Sequence, residues 1–374
     1  MSPVPPWVTN VQIVDFDRDG RLDIVACDAR FDRIVWYRRD RGQTWQEKTI
    51  GTDLPGPAHA TIVDLDGDHD SDVVVSVLGQ LSPNDDTIGS LVWLENIDDQ
   101  FVPHPLLTDV RRVADAQPGD LDGDGDLDLV VAVFGYARGE ILWLENRGSG
   151  QWMSHQLWIA AGAIHVPVAD YDGDGDLDIA AVVSQDDEEV WGFENDGHGR
   201  FKPRLIFRSN NPDLGTAGLV RADLDGDGDQ DLILPAGDNL EDLYSYPQSY
   251  HGCFWLENVG PWDFKSRRIA AVGGTYAAAT GDVDGDGDLD VVLVSMFNDW
   301  DTPGHASLVY LENDGKQNFT TWQIDDSPTH LVCVGCGDLN GDGRADIVAG
   351  AMCVAAPFER SPGTLIWMSP EKHE

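Results

Sequence analysis

The sequence predicts an all-β fold: a seven-bladed β-propeller with four-stranded antiparallel blades, formed by residues 1–374 as one domain. Three observations lead there. An acidic nonapeptide recurs seven times, short apolar runs of strand character flank each copy, and a run of the type "LVWLEN" follows each copy in turn. The copies are "DFDRDGRLD" from Asp15, "DLDGDHDSD" from Asp64, "DLDGDGDLD" from Asp120, "DYDGDGDLD" from Asp170, "DLDGDGDQD" from Asp223, "DVDGDGDLD" from Asp282 and "DLNGDGRAD" from Asp338. They start 49, 56, 50, 53, 59 and 56 residues apart, which is one period with insertions.

Each repeat supplies its strands in a fixed order. A first run such as "ATIV" or "HVPVA" leads into the acidic loop, and a second such as "DLVVAV" or "DVVLVS" leaves it. The third carries an aromatic at a constant place, so Trp93, Trp143, Trp191 and Trp255 are expected in the core. After a polar turn comes a fourth run such as "WQEKTI" or "FTTWQI". The last repeat ends soon after its third run, which leaves residues 2 to 9 as the candidate fourth strand despite three prolines.

Insertions are unevenly placed. From the third-strand aromatic to the next acidic loop the count is 27 to 32 residues, whereas from the last Asp of a loop to that aromatic it ranges from 13 to 24. Variation therefore concentrates between the second and third strands, on the face opposite the acidic loops. Elaborated loops on a rigid scaffold are where binding and chemistry usually reside.

Composition narrows the partners. A net charge of −43 argues against nucleic acid and anionic membrane, and makes cations the natural counterpart. No apolar stretch approaches the roughly 20 residues of a membrane span. The five cysteines show no framework spacing, and Cys333 and Cys336 in "LVCVGCGDL" read as strand packing rather than zinc or redox chemistry.

The acidic loops have a chemical reading of their own. The first, third, fifth and ninth residues are carboxylates, with Asn340 the one exception, and Gly at the fourth or sixth position permits a tight turn. Convergent hard oxygens of this number suit Ca2+, up to seven ions in all. Without an ion the clustered carboxylates raise one another's pKa.

In these loops the chain resembles the FG-GAP or VCBS repeats of integrin α-subunit propellers and of many bacterial extracellular proteins, over about residues 8–368. The resemblance implies calcium ligands at Asp15, Asp17, Asp19 and Asp23 in the first loop, and at Asp64, Asp66, Asp68 and Asp72 in the second. In the third and fourth it implies Asp120, Asp122, Asp124 and Asp128, then Asp170, Asp172, Asp174 and Asp178. The remaining sets are Asp223, Asp225, Asp227 and Asp231; Asp282, Asp284, Asp286 and Asp290; and Asp338, Asn340, Asp342 and Asp346. His69 in place of Gly and Asn340 in place of Asp make the second and seventh the expected weaker sites.

The insertion-rich face carries the candidate ligand or catalytic rim. First strands surround the central axis, so groups just ahead of them converge on its mouth: His59, Arg111, Arg112, Asp115, His165 and His330. Loop residues Tyr136, Asp238, Glu241, Tyr250, His251, Asp299, Trp300 and Asp301 are placed to reach inward. His59, Arg112, His165, Tyr250, His251 and His330 form the core of this expectation. The mixture fits a polar ligand, foremost a carbohydrate, or a protein partner. The alternative is a non-redox carbohydrate lyase, dehydratase or isomerase working through His, Tyr and Arg at the channel mouth; a passive calcium-stabilised spacer is the third class. Calcium modules tuned to roughly millimolar ion point to an extracellular, periplasmic or cell-surface setting, with a leader lying outside this sequence and a cytoplasmic setting left open.

Overall fold

A computed structural model describes residues 4–40, 44–185, 187–238, 240, 246–302, 304–354 and 364–368. Its strands form seven antiparallel sheets, at residues 8–51, 57–110, 112–159, 168–208, 220–270, 275–325 and 331–367. In each sheet the strands neighbour one another in chain order, so every connection within a blade is a hairpin. The first six blades have four strands; the seventh has three among the described residues.

Position in the blade sets each strand's composition. Second strands such as Asp72–Val77 and Asp290–Ser295 are buried along their whole length, because sheets from both neighbouring blades cover them. They accordingly read as unbroken Val, Leu and Ile rather than as alternation. Fourth strands such as Phe319–Asp325 lie at the rim and are mostly exposed.

The core is a chain of clusters, one at each seam between blades. Val25, Trp36 and Ile50 of the first blade pack on Val73, Val75 and Leu94 of the second, and similar groups follow around the ring. The third-strand tryptophans take part to different degrees. Trp143 and Trp255 are buried, whereas Trp93 and Trp191 are half-buried against the same clusters.

Ring closure differs from the expectation for residues 2 to 9. Val8 and Thr9 open the innermost strand of the first blade, Val8–Val14, which pairs with Asp23–Asp28. Prolines 5 and 6 precede that strand rather than lying in one. The seam between the last and first blades is closed by side chains: Val8, Val11 and Ile24 meet Cys333, Leu339 and Val348, and the Cys333 thiol reaches the Val8 carbonyl at 3.4 Å. Cys333 is a buried, free thiol in this packing, as is Cys27.

Two polar side chains bolt the second to sixth blades, and the buried aspartate alone recurs in all seven. The ninth residue of the acidic loop is buried, and its carboxylate accepts N–H groups from the loop and from the end of the third strand. Asp231, for example, takes Leu224 N–H at 3.1 Å and Asn258 N–H at 2.8 Å; Asp178 takes Tyr171 N–H at 3.0 Å and Asn195 N–H at 2.8 Å. The Asn that closes each "LEN" run answers in the other direction. Asn258 Nδ2 donates to Gln230 O in its own blade and to Tyr171 O in the preceding blade, at 3.3 and 2.9 Å. Asn195 and Asn313 repeat this with Leu121 O and Leu224 O.

Replacing Asn258 by Ala removes its two bonds to carbonyls and the one its Oδ1 accepts from Gly260 N–H, and leaves the buried carbonyls short of a donor. A loss of about 2–3 kcal/mol in stability is expected. Urea unfolding in the presence of chelator measures it, and an unchanged midpoint would count against the bolt.

Candidate metal centres and central-channel site

The acidic loops are shaped by their own side chains. The first Asp of each accepts the backbone N–H of the sixth residue: Gly20 to Asp15 at 2.9 Å, Gly125 to Asp120 at 3.1 Å, Gly175 to Asp170 at 3.0 Å, Gly343 to Asp338 at 2.8 Å. The third and fifth do the same two residues on, as in Asp68 N–H to Asp66 at 3.2 Å and Asp70 N–H to Asp68 at 2.9 Å. The sixth position takes a left-handed backbone that suits glycine, and His69 is held there at φ 74°. At the fourth position Arg18 adopts φ 56° where other loops have Gly.

The first Asp commits both oxygens to the turn in the first, third, fourth, sixth and seventh loops, whereas Asp64 and Asp223 spend one and keep the other for the loop centre. In the first, second, third and fifth loops, oxygens of the first, third and fifth residues lie within 4.8 Å of one another; in the fourth the set is Asp170, Asp172 and Asp178. Asp64 Oδ1, Asp223 Oδ1 and Asp225 Oδ1 are buried and have no hydrogen-bond partner among the described residues. Orphaned carboxylate oxygens in a converging set fit a hard, oxygen-seeking divalent cation.

The loops are not equivalent. In the first, Arg21 pairs with Asp19 and Arg38 with Asp17, while Arg18 reaches Asp64 of the second loop at 3.8 Å. In the seventh, Arg344 lies 3.5 Å from Asp342, and Asn340 Nδ2 donates to Asp342 at 3.1 Å. Guanidinium groups thus supply positive charge within the two loops that flank the ring seam. The ninth aspartates serve chiefly as the bolts described above. Burial pushes their carboxyls up, to about 6 at Asp128 and Asp290 and about 7 at Asp178 and Asp231.

The opposite face holds a different chemistry. First strands line a central cavity of about 650 Å³, among them Asn10, Gln12, His59, Arg112, Asp115 and His165. A β-bulge interrupts the first strand at the same place in five blades, beside Asn10, His59, Asp115, Ala277 and Cys333. Each of these lies five residues ahead of its acidic loop, and His165 and Gly218 hold the same position in the fourth and fifth blades. Bulges re-aim a side chain. Here they bring three neighbouring blades together, with His59 Nδ1 3.2 Å from Asp115 Oδ1 and His165 Nδ1 3.5 Å from Asp115 Oδ2.

Asp115 is buried, and donors surround it: Gln117 Nε2 at 2.8 Å and Val166 N–H at 3.0 Å join the two imidazoles. Burial alone raises its carboxyl, but the histidines and Val166 N–H outweigh that and hold it well below the usual carboxylate range. An ionised carboxylate only accepts, so each imidazole turns a protonated Nδ1 toward it, and His59 Nδ1 also lies 3.2 Å from Thr61 Oγ1. Burial, partly offset by Asp115, lowers the His59 pKa and favours a neutral ring. Gln12 Nε2 lies 3.4 Å from His59 Nε2 and can donate to it.

The other rim residues are placed differently. Arg112 lines the cavity wall, but its guanidinium donates to Gln80 O and Leu81 O at 3.2 and 2.7 Å and covers Phe134, pinning the long loop of the second blade. His251 is buried with Nδ1 accepting Gln248 N–H and Gly274 N–H, at 3.2 and 3.1 Å, and the ring of Tyr250 lies edge-on beside it. His330 is buried against Phe297 and Trp300. Burial drives both histidines down to about 4, and neither they nor Tyr250 line the cavity. Asp238 does line it, while Glu241 lies outside the described residues. Sequence reasoning overlooked Asn10, Gln12, Gln117 and Gly218. The signal available was their constant offset from the acidic loops, five residues for Asn10 and Gly218 and three for Gln12 and Gln117.

A family model described as FG-GAP-like repeat matches residues 7–75, 120–181, 170–234 and 236–293. The chain belongs to this family of repeat propellers. Among curated proteins no significant match is found. Among solved structures, one chain of the crystal structure of BBS1N in complex with ARL6DN, soaked with mercury, matches with a TM-score of 0.60 at 11% identity, over 99% of this chain and 94% of that one. This likeness concerns the fold. No helix among the described residues is long and apolar enough to cross a membrane.

A divalent cation entering these loops must displace protons from the raised carboxyls. The carboxyls near 6 and 7 in the folded protein, against 3.8 unfolded, favour the folded state below pH of about 4 and lose that contribution as pH rises through their folded values. The gain in melting temperature on adding the cation should therefore grow between about pH 5 and pH 7.5. Paired thermal scans with and without chelator test this, and a pH-independent gain would contradict it.

Proposed function

We propose that this propeller is a calcium-loaded recognition module whose central channel takes a polar ligand, a carbohydrate, at the His59, Asp115 and His165 cluster. The observation that carries the reading is the carboxylate of Asp115. It draws two imidazoles toward it by their Nδ1 sides and leaves His165 Nε2 without a partner among the described residues, in a cavity large enough for one or more sugar rings. Calcium is the cation of choice for the loops because the donors are three converging carboxylates in each described set, which a backbone carbonyl and water would complete to a shell of six or more oxygens. The third to sixth loops are the full-strength sites, and His69 at the glycine position weakens the second. Arginine charge weakens the first, and arginine charge with Asn340 weakens the seventh. Calcium sites of this kind fit an extracellular, periplasmic or cell-surface setting.

An enzymatic reading rests on the same pair. A carboxylate that fixes Nδ1–H of an imidazole also prepares Nε2 as a general base, as a lyase, dehydratase or isomerase would need. His165→Ala separates the two. It should abolish binding of a sugar ligand while leaving the calcium-dependent melting transition within about 1 °C; an enzyme would in addition lose turnover by about 10²- to 10⁴-fold. Binding that survives the substitution would place the site elsewhere.

Calcium itself is tested directly. Removing it with EDTA should lower the melting temperature sharply, since an ion that binds only the folded state stabilises it by mass action. Elemental analysis of protein dialysed at about 0.1 mM calcium should find about four held ions rather than seven, those of the third to sixth loops. An unchanged melting temperature and no bound calcium would remove the loops from the account.

A further inference from the structure

Residues five ahead of the acidic loops, joined by Gln12, form a belt of polar contacts part of the way around the channel, and the belt is broken. It runs from Asn10 through Gln12 to His59, Asp115 and His165, with contacts of 3.4, 3.4, 3.2 and 3.5 Å. The next member is Gly218, followed by Ala277 and Cys333, which carry no hydrogen-bonding side chain of comparable reach. His165 is therefore the end of the belt. Its Nδ1–H is committed to Asp115, and nothing among the described residues bonds its Nε2. A Cβ built on Gly218 would lie 3.8 Å from the His165 ring, so the missing side chain is one that would have faced it.

Charge narrows what can complete the belt. The cavity lining carries Asp115, Glu188, Asp213 and Asp238 against Arg112 and Arg221; Arg112 is engaged by backbone carbonyls, Glu188 by Gly215 and Thr216 and Asp115 by the imidazoles, which leaves Asp213 and Asp238 against Arg221. An anionic ligand would meet a surplus of like charge. The unpaired acceptor at His165 asks for a donor. The small side chains opposite leave room for an apolar C–H face.

We propose that the channel selects neutral polyhydroxylated rings over sugar acids, with one ligand hydroxyl donating to His165 Nε2 in the space left by Gly218. The inference rests on the carbohydrate reading above and deepens it. In Gly218→Ser the new hydroxyl would supply that donor from within the protein and compete with the ligand. The backbone there is not left-handed, and the nearest atoms to the added Cβ are Pro235 Cγ at 3.2 Å and the imidazole at 3.8 Å.

Calorimetric titration of the calcium-loaded wild-type protein with neutral methyl hexosides and with the matching hexuronates, followed by Gly218→Ser and Gly218→Ala, gives the test. Expected are a preference of about tenfold or more for the neutral sugars, a loss of about tenfold in Gly218→Ser, and affinity within about twofold of wild type in Gly218→Ala. Hexuronates bound as tightly as hexosides, or an unchanged affinity in a folded Gly218→Ser, would overturn the selectivity while leaving carbohydrate recognition standing. No binding of either class would overturn both. If Gly218→Ser does not fold, the wild-type comparison alone decides.

Discussion

One buried carboxylate per blade holds this fold in register. The ninth aspartate of each acidic loop sits under the loop, and its oxygens take N–H groups from two segments far apart in the chain. That arrangement fixes the height of the loop against the third strand. The asparagine after it carries the same constraint to the preceding blade. Burying a carboxylate without a full counter-charge is expensive, and the raised carboxyls show that cost. A cation in the loop above, as proposed, would offset it, and structural support and ion binding would then share one set of atoms.

The repeat, the order of strands within a blade and the placement of the acidic loops were all legible in the sequence, because each depends on local pattern: tight turns at Gly and Asp, apolar runs of strand length and a constant aromatic. What was not legible depends on burial and on contacts between blades. His251 and His330 look like His59 and His165 in a loop inventory, yet backbone N–H groups and aromatic rings enclose them. Arg112 was expected to face a ligand and instead holds the backbone of a neighbouring loop. The arginines of the first and seventh loops were visible as letters, but only the fold brings Arg38 onto Asp17. Residues 2 to 9 looked like the one way to complete the last blade, whereas among the described residues apolar side chains and the Cys333 thiol on the Val8 carbonyl join that blade to the first.

The two faces answer to different rules. On the acidic face the same hydrogen bonds recur blade after blade, and departures such as His69 are tolerated at a backbone angle glycine would take more easily. On the other face no two blades are alike. The bulge beside each inner strand is the common device, since it turns whatever residue stands there toward its neighbour around the axis. The fourth and fifth blades reach the same geometry with first strands of only two and three residues, each helped by a single isolated bridge nearer the mouth.

Those seven equivalent positions make the channel combinatorial. A residue five ahead of an acidic loop can be exchanged with little effect on the bolts, which lie at the far end of the blade, so each blade contributes one nearly independent letter to a seven-letter word read around the axis. In this chain the word is Asn, His, Asp, His, Gly, Ala, Cys. Related propellers with the same skeleton could spell other words and so bind other molecules, and new specificity would arise by single substitutions without any redesign of the fold.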